Sequence, residues 1–167
     1  MDILLGSTQS AIDRRNFFKA QLVFWLLAAT DGHAKNFSIA HHPGGNFSAT
    51  PIYDVLSAHP IIGNGANQLP RQKIKLAMAI RGQENHYLLD KVQPRHWLAL
   101  AEQCGLGARL AQQLIAEVVQ ATPVAIEHAS RQLPADYPMD VADAIFSGMR
   151  GQCEKLTKTG ADPVFHL

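Results

Sequence analysis

Asp31 and Asn36 stand five positions apart in Asp31-Gly32-His33-Ala34-Lys35-Asn36, and a further carboxylate, Asp54, follows after an insert with hairpin character. Moving a phosphoryl group from ATP to a hydroxyl calls for these three side chains. One carboxylate must orient the attacking hydroxyl and accept its proton. A second carboxylate and an amide oxygen must hold magnesium against the phosphates, a set that kinases supply as D-x-x-x-x-N with a later Asp. Asp31 then reads as the base, and Asn36 and Asp54 as Mg2+ ligands whose shell phosphate oxygens and water complete. His33 and Lys35 lie between base and ligand, where one of them could neutralise charge on the transferred group, although the ordinary reading of Lys35 is a solvated loop cation. Alone, D-x-x-x-x-N is a weak signal, because short motifs recur by chance and an Asp-Gly after a helix is commonly a turn.

The flanking elements strengthen it. Ser10 followed by Asp13 resembles a helix-capping arrangement ahead of Phe17, Phe18, Gln21, Leu22, Trp25 and Leu26, whose spacing is that of one buried helical face. A helix from near Ser10 to near Ala29 would deliver Asp31 at its end, with Gly32 permitting an unusual loop backbone. Residues 37–41 and 46–50 flank Pro43-Gly44-Gly45 and read as two short strands with a tight turn, which would fold Asp54, preceded by Tyr53, back beside Asn36. Lys73 to Ile80 reads as a short helix. Pro94 suits the first turn of a helix that Gly105 ends, and an apolar-periodic run through Leu110, Leu114, Ile115 and Val118 follows, with Pro123 expected to kink or break it. A last helix from Pro138 or Met139 to about Lys158 would bury Val141, Ile145 and Phe146. The expected fold is a single, mainly α unit with one small β-hairpin over residues 1–158, and a frayed tail over 159–167.

With 47% hydrophobic and 17% charged residues the composition is globular rather than disordered, and a net charge of +1 gives no global field toward nucleic acid or anionic lipid. The apolar run Leu22–Thr30 is too short to span a bilayer, so a cytoplasmic protein is expected. Cys104 and Cys153 form no C-x-x-C pair and read as reduced thiols. His41 and His42 adjoin on a strand and point to opposite faces, which suits surface residues better than a shared metal.

The run Phe24-Trp25-Leu26-Leu27-Ala28-Ala29-Thr30-Asp31-Gly32-His33-Ala34-Lys35-Asn36-Phe37-Ser38, with Thr50-Pro51-Ile52-Tyr53-Asp54-Val55-Leu56-Ser57-Ala58 after it, resembles the C-terminal half of the HipA-type serine/threonine kinase toxins of bacterial toxin–antitoxin systems. Lys75-Leu76-Ala77-Met78-Ala79, Pro94-Arg95-His96 and Leu133-Pro134-Ala135-Asp136-Tyr137-Pro138 extend the likeness from about Asp2 to about Leu156. The resemblance implies a kinase C-lobe with Asp31 catalytic, His33, Lys35, Asn36, Tyr53 and Asp54 around the ATP phosphates, and Asn36 and Asp54 on Mg2+. It implies as partners a helix-turn-helix antitoxin of the HipB kind and a protein substrate of the translation machinery. Lys91 and Arg95, next to His96, become candidates for weak contact with operator DNA, against the ordinary reading of a solvated cluster.

A kinase also needs a Gly-rich β lobe over the phosphates and a strand Lys paired with an acidic helix residue. Gly63-Asn64-Gly65 and Gly105-Leu106-Gly107 follow the catalytic Asp instead of preceding it, so the N-lobe is expected to be lost or on a separate chain, and the chain alone to bind nucleotide weakly and be inactive. A non-catalytic module for antitoxin or DNA, and a magnesium-dependent phosphohydrolase using the same acidic cluster, remain as alternative readings.

Overall fold

The computed structural model describes residues 1–158, so the expectation for the tail lies outside the described residues. Four helices carry the fold: α1 (Ser10–Leu26), α2 (Pro94–Gln103), α3 (Ala108–Gln132) and α4 (Met139–Lys158). Two antiparallel hairpins complete it. Strands β1 (Ile39–His41) and β2 (Phe47–Ala49) pair Ile39 with Ala49 and His41 with Phe47, and β3 (Lys75–Arg81) pairs with β4 (Asn85–Leu88).

The core forms where α1 crosses the other helices and β3. Phe18, Leu22, Trp25 and Leu26 of α1 meet Leu76 and Ile80 of β3, Trp97 and Leu100 of α2, Leu114 and Val118 of α3, and Leu156 of α4. Trp97 packs edge-on to both Trp25 and Phe18, with centroids 6.1 and 6.0 Å away, the arrangement that ring quadrupoles favour. Trp25 also donates its indole N–H to the Leu89 carbonyl at 3.1 Å, which satisfies the one polar atom of a buried ring.

Mainly α architecture, the first hairpin and its Pro43-Gly44-Gly45 turn stand as the sequence implies; Gly44 and Gly45 both take φ +77°, conformations that glycine adopts without a Cβ penalty. Other expectations are corrected. The segment read as a helix from Lys73 to Ile80 is strand β3, giving a second hairpin. Its Leu76 and Ile80 are buried while Lys75, Ala77 and Arg81 face solvent, and pairing with β4 overrides the helix preference of the Ala and Met residues. Pro123 does not break α3, which continues to Gln132: Pro123 lies on the exposed side, while Val118, Thr122 and Ile126 are buried, and Thr122 Oγ1 donates to the Val118 carbonyl at 2.7 Å. In α4 the fully buried residues are Ala142, Gln152 and Leu156, with Val141, Ile145 and Phe146 half-buried. Ser10 and Asp13 do not cap α1, whose N-cap is Gln9; Asp13 is 2% exposed and turned inward.

Candidate functional site

Helix α1 ends at Leu26, before the expected Ala29, because Ala28 takes φ +50°. The Ala28 N–H bonds the Trp25 carbonyl at 3.2 Å and the Ala29 N–H bonds the Phe24 carbonyl at 2.8 Å, the paired bonds of a Schellman stop. Glycine is usual at that left-handed position; here a wholly buried Ala occupies it. The stop turns the chain out of the helix and sets Thr30 and Asp31 at the surface. Gly32 has no positive φ, contrary to the conformational role expected of it. It is small because a Cβ there would lie 2.5 Å from the Phe24 ring, so glycine lets the Asp31–His33 turn lie flat on that ring.

A short turn over Ala34–Asn36 then buries Asn36 to 1% exposure. Its amide nitrogen donates to the Asp54 carbonyl at 3.0 Å and to Asp54 Oδ2 at 3.2 Å. Asp54 holds φ +56°, a costly conformation for a residue other than glycine and one that persists only where neighbours fix it. With both amide hydrogens turned to Asp54, Asn36 Oδ1 is left buried without a partner. An orphaned amide oxygen normally costs about 1–3 kcal/mol. The amide nitrogen, and not this oxygen, faces the Asp54 carboxylate, but the two side chains together carry hard oxygens of the kind that magnesium takes, so the residue types present fit that ion. Among the described residues no three or more His, Cys, Asp or Glu side chains gather as a metal site.

Asp31 has 70% of its side chain exposed, and His33 Nε2 lies 3.6 Å from its Oδ1, an electrostatic contact just beyond hydrogen-bond length. His33 Nδ1 is buried and unpartnered. Lys35 is exposed, and its backbone carbonyl receives the Tyr53 hydroxyl at 2.8 Å. Tyr53 Oη also lies 2.7 Å from Ser38 Oγ.

Several residues that build the site carried no signal of that role in the sequence. Asp13 accepts hydrogen bonds from Ser7 Oγ (2.5 Å), Ala49 N–H (2.8 Å) and Gln9 Nε2 (2.9 Å), and so fastens strand β2 to helix α1. Burial would raise its carboxyl pKa, but these three donors outweigh burial and hold it below the usual value. Beyond Asp54, Ser57 Oγ donates to the Leu27 carbonyl at 2.7 Å and His59 Nε2 to the Leu26 carbonyl at 2.8 Å, satisfying the end of α1. Burial, and then the Arg71 charge, keep the His59 ring pKa low despite that bond. Gly148 makes room for the ring, since a Cβ there would lie 2.3 Å from it. The chain on both sides of the Asp31–Asp54 segment is therefore pinned to one helix.

The candidate DNA cluster has exposed and buried members, and Arg95 Nε lies 3.4 Å from His96 Nε2. Lys91 and Arg95 are exposed, but His96 is buried, stacks on His86 with centroids 3.5 Å apart, and accepts the Gln93 N–H on Nδ1 at 3.2 Å. Burial first, then the charges of His86 and Arg95, push its pKa down, so it contributes a helix cap. His41 and His42 are both exposed. Cys104 and Cys153 are free and half-buried, with thiol pKa values raised by burial. No helix among the described residues is long and apolar enough to cross a membrane.

One chain of the Shewanella oneidensis MR-1 toxin–antitoxin complex of HipA, HipB and its operator DNA has the same fold, with a TM-score of 0.76 and 21% sequence identity. The likeness covers 94% of this chain and 34% of that one, so the present chain spans about a third of the length of that relative. The family model for the HipA-like C-terminal domain matches residues 1–126, a span that includes Asp31, Asn36, Tyr53 and Asp54 as well as both hairpins. The chain belongs to the HipA-like C-terminal domain family.

Proposed function

We propose that this chain is the catalytic lobe of a HipA-like serine/threonine protein kinase toxin, moving the ATP γ-phosphate to a hydroxyl of a translation-machinery protein. The observation that carries this reading is the pairing of Asn36 with Asp54 through the Asn36 amide nitrogen, which leaves Asn36 Oδ1 without a partner. Bound there, Mg2+ would offset phosphate charge and hold the transferred group in line with its acceptor. Asn36 and Asp54 would hold it, Asn36 being pre-set by the bonds from its amide nitrogen. Asp31, open to solvent, would accept the proton of the incoming hydroxyl at its carboxylate. His33 Nε2 would keep Oδ1 of that carboxylate turned toward the loop, and the exposed Lys35 would stand near the phosphates.

Most nucleotide affinity in this reading comes from a Gly-rich β lobe, upstream in the polypeptide or on a separate chain, so the lobe alone would bind ATP weakly and be inactive. A HipB-like helix-turn-helix antitoxin is the proposed regulatory partner, on the fold shared with a chain of the HipA, HipB and operator DNA complex, and any DNA contact would be indirect or through Lys91 and Arg95.

The test is a titration of Mn2+, a paramagnetic stand-in for Mg2+, into the isotope-labelled chain with an ATP analogue. Selective broadening of the Asn36 side-chain amide that is lost in Asp54→Ala, and of the Asp54 backbone amide that is lost in Asn36→Ala, supports the reading. Broadening centred elsewhere, or unchanged in both variants, overturns it.

A further inference from the structure

Tyr53 is the residue of the phosphate-side set whose polar atom is already committed. Its hydroxyl hydrogen goes to the Lys35 carbonyl at 2.8 Å, which leaves its lone pair to accept from Ser38 Oγ at 2.7 Å. These partners lie on either side of Asn36 in sequence, while Tyr53 immediately precedes Asp54. We propose that Tyr53 is a positioning residue for the metal ligands, a strut that locks the strained Asp54 loop onto the Lys35–Ser38 loop; this rests on the Mg2+ reading given above.

The reasoning follows from what holds Asp54 at φ +56°. A non-glycine residue keeps that conformation only when surrounding bonds over-determine it. Two of those bonds come from the Asn36 amide nitrogen, and both involve a ligand itself, so they cannot fix the pair against the rest of the loop. The Tyr53 hydroxyl supplies the independent tie, from the neighbouring residue to the backbone next to Asn36. Without it, Asp54 can relax toward an ordinary conformation and its carboxylate drifts from the Asn36 amide. Metal binding must then restore the geometry and loses affinity accordingly. Ser38 acts through Tyr53, by orienting the hydroxyl.

With an ATP analogue and the Gly-rich β lobe present, the experiment compares Mn2+ affinity, read from broadening of the Asp54 backbone amide, and thermal unfolding for the wild type, Tyr53→Phe, Ser38→Ala and Ser38→Thr. A single solvent-exposed hydrogen bond contributes at the low end of the usual net range, so Tyr53→Phe is expected to bind Mn2+ roughly two- to fivefold more weakly. Its unfolding temperature should stay within about 2 °C of wild type, because one surface bond is a small part of the total. Ser38→Ala should lose less than Tyr53→Phe, since the bond to Lys35 remains, and Ser38→Thr should restore wild-type affinity. Equal affinity for wild type and Tyr53→Phe, or a loss that tracks a lowered unfolding temperature, overturns the strut. Absence of Mn2+ binding in the wild type itself overturns the underlying metal reading, a result that the variants cannot mimic.

Discussion

Replacing Asp13 with Ala should unfasten the first hairpin from α1. The carboxylate is 2% exposed and accepts from Ser7 Oγ, Gln9 Nε2 and the Ala49 N–H. Hydrogen bonds to an ionised group contribute about 1.5–3 kcal/mol each, but Ser7 and Gln9 sit at the start of α1, where water can replace part of the loss. The Ala49 bond has no such substitute, because its direction is set by pairing with Ile39. One full bond and part of two others give about 3 kcal/mol of destabilisation. For a chain of this size that lowers the unfolding midpoint by roughly 6–12 °C. Urea unfolding followed by Trp25 and Trp97 fluorescence measures the stability, and amide exchange at residues 39–49 locates it. Exchange there should accelerate more than in α3 or α4. A loss below about 1 kcal/mol, or faster exchange spread evenly over all helices, would refute the view that Asp13 anchors the hairpin.

Gly148→Ala should lower stability by about 1–3 kcal/mol, since a Cβ would meet the His59 ring at 2.3 Å; an unchanged urea midpoint would show that the ring moves aside freely. His59 and His96 both have pKa values lowered from 6.5 in the fold, so the stability that they confer is complete above that value and is lost as pH falls through it toward the folded values. The urea midpoint should therefore be flat from about pH 8 to 7 and fall below about 6.5, with a shallower fall in His59→Gln; a flat profile down to about pH 5 would contradict it. Asp13 and Asp90 have lowered carboxyl pKa values, burial of each being outweighed by its donors, Lys155 and Arg71 for Asp90. Their stabilisation is present above 3.8 and is lost only as pH falls below it, which separates them from the histidine phase.

What could be read in the residues follows local physics. Helices α1, α2 and α4 announce themselves by apolar spacing and by Pro94 and Pro138, and the first hairpin by Pro43-Gly44-Gly45. Strand β3 was hidden because Ala77, Met78 and Ala79 favour helix, and only β4 and the core above Leu76 and Ile80 decide the matter. Pro123 misleads for the reverse reason, since a buried stripe on the far side of α3 holds the helix through it. In the site, the approach of Asn36 to Asp54 was legible from motif order. The left-handed turns at Ala28 and Asp54 were not, because both positions lack glycine and are fixed by contacts distant in sequence. Nor could spacing show that Asp13, Ser57 and His59 serve as fasteners, each bonding to a backbone group 30 or more residues away.

The most direct test of the central proposal is phosphoryl transfer itself. The chain is combined with a Gly-rich β lobe, in one polypeptide or as a separate one, and γ-labelled ATP, Mg2+ and candidate proteins of the translation machinery are added. Label should pass to a Ser or Thr hydroxyl with the wild type and be lost by at least about a thousandfold in Asp31→Asn, whose unfolding midpoint should match wild type because the side chain is 70% exposed. Transfer by Asp31→Asn at the wild-type rate would remove Asp31 from the chemistry. No transfer by any combination, with tight antitoxin binding unaffected by changes at Asp31, Asn36 and Asp54, would make this lobe a docking module instead of a catalyst.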